Sequence, residues 1–121
     1  MMRTEATEQT PSVIYEAEQN TLRLEGRCIP ENAAEFFSPV IAFVHGRVAS
    51  GQPLTLSIKL DYFNTSSSRQ LYQLFQTLQA AQQKGAEVKV LWRYAAHDEE
   101  LLESGQDYQD LVDIPFHFIE E

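Results

Sequence analysis

The chain has 121 residues, 43% of them hydrophobic, which is enough for the core of one ordinary domain. Nine Lys and Arg against 18 Asp and Glu give a net charge of −9, which disfavours binding to nucleic acid or to anionic membranes. No apolar run approaches the roughly 20 residues of a membrane span, and the polar, acidic first ten residues do not resemble a signal peptide. We therefore expect a cytoplasmic protein.

The first part of the chain predicts a disordered arm over residues 1–11 and a single domain over residues 12–121. Two short β-like runs open that domain, at 13–16 and 21–25, and the four residues between them predict an antiparallel hairpin. Cys28 is the only cysteine, so no internal disulfide can form. It follows the second run, and we expect it to be a small buried side chain rather than a nucleophile.

A helix is predicted to begin at Pro30, because proline is favoured at a helix start and apolar residues then recur at helical spacing as far as Val44. Pro39 lies inside this stretch and is expected to kink the helix or to split it in two. Residues 49–51 end it. The next run, 54–60, alternates apolar and polar residues and is the clearest strand signal in the sequence.

A second helix is predicted from Ser66 to Lys84, with its apolar residues on one face and a strand after it at 88–94. The members of that face are Leu71, Leu74, Phe75, Leu78 and Ala81. A third helix is predicted to begin near His97, with acidic residues in its first turn and with Gly105 as a candidate interruption. Its later apolar face is expected to hold Tyr108, Leu111 and Val112, and a last strand is expected at 115–119.

The element order β-β-α-β-α-β-α-β predicts an α/β domain with a mixed sheet of four or five strands and with helices packed against it. From residue 54 onward each strand–helix–strand unit favours a parallel crossover, while the initial hairpin adds an antiparallel edge. In such sheets the loops at the carboxyl ends of the strands are preferred functional positions.

One of these loops carries a hydroxyl cluster, Asn64-Thr65-Ser66-Ser67-Ser68, which opens the second helix. Its more common role is helix capping, since Asn, Ser and Thr side chains accept hydrogen bonds from free N–H groups, but one capping residue is enough. The alternative is a phosphorylation switch. A phosphate carries a charge near −2, and a helix start offers it free amides and the positive end of a dipole.

Several segments resemble known regulatory proteins. The element order with a hydroxyl-rich turn after the central strand is similar to STAS domains and anti-sigma-factor antagonists. The chain resembles more closely the SiaC-type family of biofilm regulatory phosphoproteins, and this similarity spans most of the chain after the arm. The residues that carry it are Tyr62-Phe63-Asn64-Thr65-Ser66-Ser67-Ser68, Trp92-Arg93-Tyr94, Asp98-Glu99 and Gly105-Gln106-Asp107-Tyr108.

The resemblance implies a STAS-like regulator without catalytic activity or cofactor. In its unphosphorylated form it is expected to bind and activate a diguanylate cyclase of the SiaD type, and so to control cyclic-di-GMP and biofilm formation. A kinase of the SiaB type is expected to phosphorylate it, and a PP2C-like phosphatase of the SiaA type to reverse this. The family's motif places the phosphoacceptor at Thr65, whereas the STAS pattern indicates Ser66. The expected partner-binding residues are Tyr62, Asn64, Ser66, Ser67, Ser68, Arg69 and Tyr94.

Two other functions remain open from the residues. An anti-sigma-factor antagonist would use the same switch on a transcriptional partner. A small hydrolase would need Ser66 or Ser67 as nucleophile with His97 and Asp61, but the sequence lacks a Gly-x-Ser-x-Gly elbow. The run that starts at His97 contains acidic residues, yet neighbours on a helix point in different directions, so we expect a solvated helix start and no metal site.

Overall fold

The computed structural model describes residues 2–121; Met1, the first residue of the predicted arm, lies outside them. Its strands are β1 (Arg3–Thr4), β2 (Ser12–Glu16), β3 (Thr21–Cys28), β4 (Leu54–Phe63), β5 (Val88–Tyr94) and β6 (Phe116–Glu120). Its helices are α1 (Ala33–Ala49), α2 (Thr65–Gln83) and α3 (Glu99–Leu111), and a short 3-10 turn, Ala17–Gln19, joins β2 to β3.

The six strands lie in chain order across one sheet. Strands β1, β2 and β3 pair antiparallel, and β3, β4, β5 and β6 pair parallel. The predicted hairpin and the predicted parallel crossovers are confirmed. The sheet has six strands instead of the four or five expected, because β1 adds a short edge.

The additional edge strand comes from the segment that the sequence predicts to be a disordered arm. Within that segment Arg3 pairs with Ile14, the amide of Tyr15 donates to the carbonyl of Met2 (3.0 Å), and the amide of Ile29 donates to the carbonyl of Gln9 (2.8 Å). The expectation of disorder is therefore not met over residues 2–11. These contacts use main-chain groups, which leave no hydrophobic pattern in the sequence.

The two predicted helix interruptions are absent. Helix α1 continues past Pro39, which is exposed, while Phe37, Val40 and Val44 are buried on the opposite side. Helix α3 continues through Gly105. Proline and glycine lower helix propensity, but burial of an apolar face outweighs that cost in both helices.

All three helices pack on the same face of the sheet. Alternate strand residues line up across the register, so that Leu22 pairs with Leu56, and Leu56 with Val90, and all three are fully buried. Aromatic contacts join each helix to this face: Phe43 of α1 to Tyr15, Phe75 of α2 to Phe116, and Tyr108 of α3 to Trp92. The other face is not covered by a helix within residues 2–121 and carries polar and charged side chains.

Candidate functional site

The helix start that carries the hydroxyl cluster is held by Asn64. The amide of Asn64 donates to the carbonyl of Cys28 at the end of β3 (3.1 Å), and its side-chain oxygen accepts from the amide of Ser67 (2.9 Å). Asn64 is thus the N-cap of α2, in an extended conformation with φ −85° and ψ 173°. The predicted capping role belongs to the amide side chain, which leaves the hydroxyl groups free of that task.

The hydroxyl side chains divide into two exposed and two enclosed residues. Thr65 and Ser66, the first two residues of α2, are exposed, whereas Ser67 is fully buried and Ser68 is half-buried. An enzyme that transfers phosphate must reach its acceptor hydroxyl from solvent. Thr65 and Ser66, the two candidate phosphoacceptors predicted from the sequence, are therefore accessible. Ser67 and Ser68 face the interior of the domain.

The buried hydroxyl of Ser67 lies beside Cys28. Within residues 2–121 its oxygen makes no hydrogen bond of regular geometry. Burial raises the pKa of the Cys28 thiol, and contact with the Ser67 hydroxyl partly offsets this. The thiol is therefore neutral and enclosed at physiological pH, as predicted for a structural cysteine.

The hydroxyl of Ser68 joins α2 to α3. Its oxygen lies 2.7 Å from the phenol oxygen of Tyr108, and the Tyr108 phenol is also 2.9 Å from the Ser68 carbonyl, to which it donates. Burial raises the pKa of Tyr108, although the hydrogen bond with Ser68 opposes the increase. The sequence pattern assigns Tyr108 to the apolar face of α3 and does not predict this hydrogen bond. The only available signal is its place in the Gly105-Gln106-Asp107-Tyr108 motif.

The remaining predicted partner-binding residues differ in exposure. Tyr62, near the end of β4, is 57% exposed, and Arg69 on the second turn of α2 is also exposed. Tyr94, at the end of β5, is half-buried and packs against the core. The side chains of Tyr62, Thr65, Ser66 and Arg69 are thus open to solvent, and that of Tyr94 is less so.

The described residues form neither the hydrolase site nor the metal site that the sequence left to be considered. Within residues 2–121 no hydrogen bond joins Ser66 or Ser67 to His97 or Asp61, and no group of three or more His, Cys, Asp or Glu is placed to hold a metal ion. Asp98 instead caps α3, since its carboxylate accepts from the amide of Leu101 (3.0 Å). None of the described helices combines the length and apolar composition that a membrane span needs.

A mixed sheet covered on one face by three helices, with a hydroxyl-rich helix start after β4, defines a small α/β domain. The model of the SiaC family of regulatory phosphoproteins matches residues 4–121, and the chain belongs to that family. The family predicted from the sequence is thereby confirmed. A relative from Pseudomonas aeruginosa strain UCBPP-PA14, the uncharacterized protein PA14_02130, is 32% identical over 111 residues, which cover 91% of this chain and 88% of the relative.

Solved structures show the same similarity. SiaC of Pseudomonas aeruginosa superposes with a TM-score of 0.90 at 30% identity, over 99% of this chain and 98% of that chain. A chain in the crystal structure of the diguanylate cyclase SiaD in complex with its activator SiaC, also from Pseudomonas aeruginosa, superposes with a TM-score of 0.94 at 29% identity, over 100% of both chains.

Proposed function

We propose that this chain is a phosphorylation-switched regulator which, when unphosphorylated, binds and activates a diguanylate cyclase of the SiaD type. The observation that carries the proposal is its full-length similarity to a chain of the SiaD–SiaC complex. Through the cyclase it controls cyclic-di-GMP and biofilm formation. In this proposal the chain acts in the cytoplasm, needs no cofactor and catalyses no reaction, so the chemistry belongs to its partners.

Thr65 is the proposed phosphoacceptor. Its hydroxyl is exposed at the first position of α2, and no hydrogen bond within residues 2–121 occupies its own amide or that of Ser66. The enclosed hydroxyl groups of Ser67 and Ser68 are poor acceptors, because a kinase would have to break α2 away from the core to reach them. Ser66 is the alternative, since it is exposed on the same turn.

A phosphate on Thr65 is compatible with the folded chain. Its charge of about −2 would lie at the positive end of the α2 dipole, beside free amides. Arg69 follows four residues later, the spacing at which side chains meet on a helix. The same dianion is unfavourable inside a protein interface, where it loses water and meets the partner's carboxylates. Phosphorylation therefore releases the partner without unfolding this chain.

Two enzymes would set the phosphorylation state. A kinase of the SiaB type adds the phosphate, and a PP2C-like phosphatase of the SiaA type removes it. The exposure of Thr65 at the edge of the domain supports access by both. The cyclase would thus compete with the kinase for the same helix start, which couples phosphorylation directly to release.

The binding half of the proposal is tested with purified cyclase of the SiaD type and three variants. Thr65→Ala should bind and activate it as the wild type does. Thr65→Glu should weaken binding by about tenfold or more, because it places a carboxylate in the interface. Gln83→Glu is the matched control, because it adds the same carboxylate at an exposed position at the far end of α2, and it should change binding by less than about twofold. Equal binding by Thr65→Ala and Thr65→Glu would contradict the switch.

The modification half is tested by intact-mass spectrometry after incubation with the kinase and ATP. We expect one added phosphate on the wild type and on Ser66→Ala, and none on Thr65→Ala. Phosphate retained on Thr65→Ala but lost from Ser66→Ala would move the acceptor to Ser66. Subsequent treatment with the phosphatase should return the wild-type mass and restore cyclase binding.

A further inference from the structure

Strand β6 forms one edge of the sheet, and its pairing with β5 uses only every second residue. The amide of Val90 donates to the carbonyl of Pro115 (2.9 Å), and the amide of Glu121 donates to the carbonyl of Tyr94 (2.8 Å). In a parallel ladder alternate residues of a strand bond to the same neighbour. The odd-numbered residues from 115 to 121 therefore face β5, and the residues between them point their N–H and C=O groups away from the sheet.

The residues that point outward are Phe116, Phe118 and Glu120. Across residues 2–121 no main-chain group bonds to their amides or carbonyls, because β6 is last in the strand order and pairs with β5 alone. The strand is five residues long, contains no proline and keeps an unbroken register with β5. It thus lacks the proline and the bulge by which many edge strands resist pairing. An edge of this kind can accept an extended peptide as a further strand.

The whole net charge of the chain lies in the segment that borders this edge. Residues 94–121, which include α3 and β6, contain nine Asp and Glu and no Lys or Arg, whereas residues 1–93 contain nine of each sign. Eight of the nine acidic residues are exposed. Helix α3 lies over β6, since Gly105 closely approaches the Phe118 ring. A field of this sign attracts Lys and Arg on an approaching chain and repels anions.

We propose that the β6 edge binds an extended segment of a partner protein that carries Lys or Arg, and that this segment adds a seventh strand to the sheet. Main-chain hydrogen bonds supply the affinity, and the acidic segment selects a basic sequence. Ile119, which is 37% exposed, and the half-buried Phe118 project to opposite faces and offer apolar contacts to alternate side chains of the added strand. This inference goes beyond the proposed function, because it rests on β6 and on charge alone.

A second copy of the chain is a poor occupant of the same edge. Pairing of β6 with β6 would bring two acidic segments together, each with nine carboxylate side chains and no Lys or Arg. Like charges across a paired edge oppose association. Nucleic acid is repelled for the same reason. The charge that excludes these occupants is the charge that favours a basic segment.

The β6 edge is also separate from the hydroxyl cluster at the start of α2. That helix follows β4, and β5 lies between β4 and β6 in the sheet. A segment bound at β6 therefore leaves Thr65 accessible. We expect binding at β6 to be independent of the charge on Thr65.

The first test uses a synthetic peptide of alternating Lys and Val, with a peptide of alternating Glu and Val as its control. At millimolar concentration the Lys peptide should slow hydrogen exchange at the amides of Phe118 and Glu120 by about fivefold or more, and the Glu peptide should not. The amides of His117 and Ile119 face β5 and serve as internal references. If the Lys peptide does not bind, or binds without protecting Phe118 and Glu120, the proposal is overturned.

The second test changes Glu120, whose side chain is exposed and whose amide points outward. Glu120→Pro removes that N–H and places a ring at the edge, so it should raise the dissociation constant for the Lys peptide by about tenfold or more. Glu120→Gln keeps the amide and removes one charge, and should raise it by less than about threefold. Circular dichroism and urea unfolding check the fold of both variants. If Glu120→Pro does not fold, hydrogen exchange in the wild type decides.

The outcomes also separate this site from the switch. Thr65→Glu should bind the Lys peptide as the wild type does. A chain that binds the peptide but does not activate the cyclase would overturn the proposed function and leave the β6 site intact. Equal peptide binding by folded Glu120→Pro and the wild type would overturn the β6 site alone. Sedimentation of the chain without peptide should show a monomer, and a dimer that Glu120→Pro dissociates would assign the edge to a second copy instead.

Discussion

At the scale of single residues, Asn64 fixes where α2 begins. Its side chain satisfies the amide of Ser67 and its own amide is satisfied by Cys28, so it ties the helix start to the neighbouring strand. Asn64→Ala removes the cap and should lower the free energy of unfolding by about 1 kcal/mol. Urea denaturation followed by circular dichroism measures this difference.

Ser66→Ala is the control for the capping residue. The Ser66 hydroxyl is exposed and takes no part in the cap, so its removal should change the unfolding free energy by less than about 0.5 kcal/mol. An equal loss of unfolding free energy in Asn64→Ala and Ser66→Ala would mean that the hydroxyl groups also contribute to the helix cap. The different results expected here distinguish the residue that caps the helix from the exposed residues proposed as phosphoacceptors.

The sequence predicts where the hydroxyl cluster lies, but it does not predict what each residue of the cluster contacts. Asn64 followed by four hydroxyl residues at a strand end indicates a helix start and a modification site. It does not reveal that Ser68 binds Tyr108, because the two residues are 40 positions apart in the chain. Nor does it reveal that Ser67 is buried beside Cys28. Local pattern locates the cluster, and tertiary contacts decide which hydroxyl groups remain free.

At the scale of elements, Gly105 sets how closely α3 approaches the sheet. A Cβ atom at this position would lie 2.6 Å from the Trp92 ring and 2.8 Å from the Phe118 ring. The Trp92 ring is fixed, since its Nε1 donates to the carbonyl of Leu101 (2.9 Å). Gly105→Ala should therefore destabilise the protein by about 1–3 kcal/mol, measured by urea unfolding, although alanine is the better helix former.

Gly46 provides the matched control, because it is a helical glycine with open space around it. Among residues 2–121, apart from its chain neighbours and the backbone of its own helix, no atom lies within 4 Å of a Cβ at this position. Gly46→Ala should stabilise the protein by up to about 1 kcal/mol, since only helix propensity changes. If Gly105→Ala also stabilised the protein, α3 would not be packed as closely as its contact with Trp92 indicates.

The same contrast explains where element prediction succeeds and fails. Periodicity predicts the three helices, the hairpin and the central strands, because one face of each is buried. Pro39 and Gly105 are read as interruptions from propensity alone, yet both lie inside continuous helices. Gly105 is present because two aromatic rings need the space, which no local pattern can show. Leu111, assigned to the apolar face of α3, is 61% exposed.

At the scale of the whole molecule, an ion-pair network connects the strands on the face that no described helix covers. Arg93 of β5 pairs with Glu25 of β3 and with Glu121 after β6, where its Nε lies 3.1 Å from the carboxylate. Lys59 of β4 lies 3.0 Å from the same carboxylate. Burial of Arg93 acts to lower its pKa, but both glutamates more than offset this and the pKa is raised. The residues of this ion-pair network come from four separate segments, so no local sequence pattern predicts it.

This network makes the free energy of unfolding depend on pH in the acidic range. Hydrogen bonds from Lys59 and from Arg93 lower the pKa of Glu121 below its ordinary value of about 4.3. A lowered pKa in the folded state means that the unfolded chain takes up the proton first as the pH falls. The stabilisation is therefore complete at neutral pH and is lost as the pH falls below about 4.3 through the lowered value, by up to about 1 kcal/mol for a partly exposed pair.

Glu121→Gln isolates this contribution from the other carboxyl groups that titrate in the same range. Urea unfolding at pH 7 should show the variant to be less stable than the wild type, and the difference should shrink as the pH is lowered below 4. Glu120→Gln is the control, because Glu120 is exposed and has no ion pair within residues 2–121. Its stability difference should stay small at every pH. A Glu121→Gln difference that is constant with pH would show that the carboxylate acts through packing, and that the network does not hold the strands together by charge.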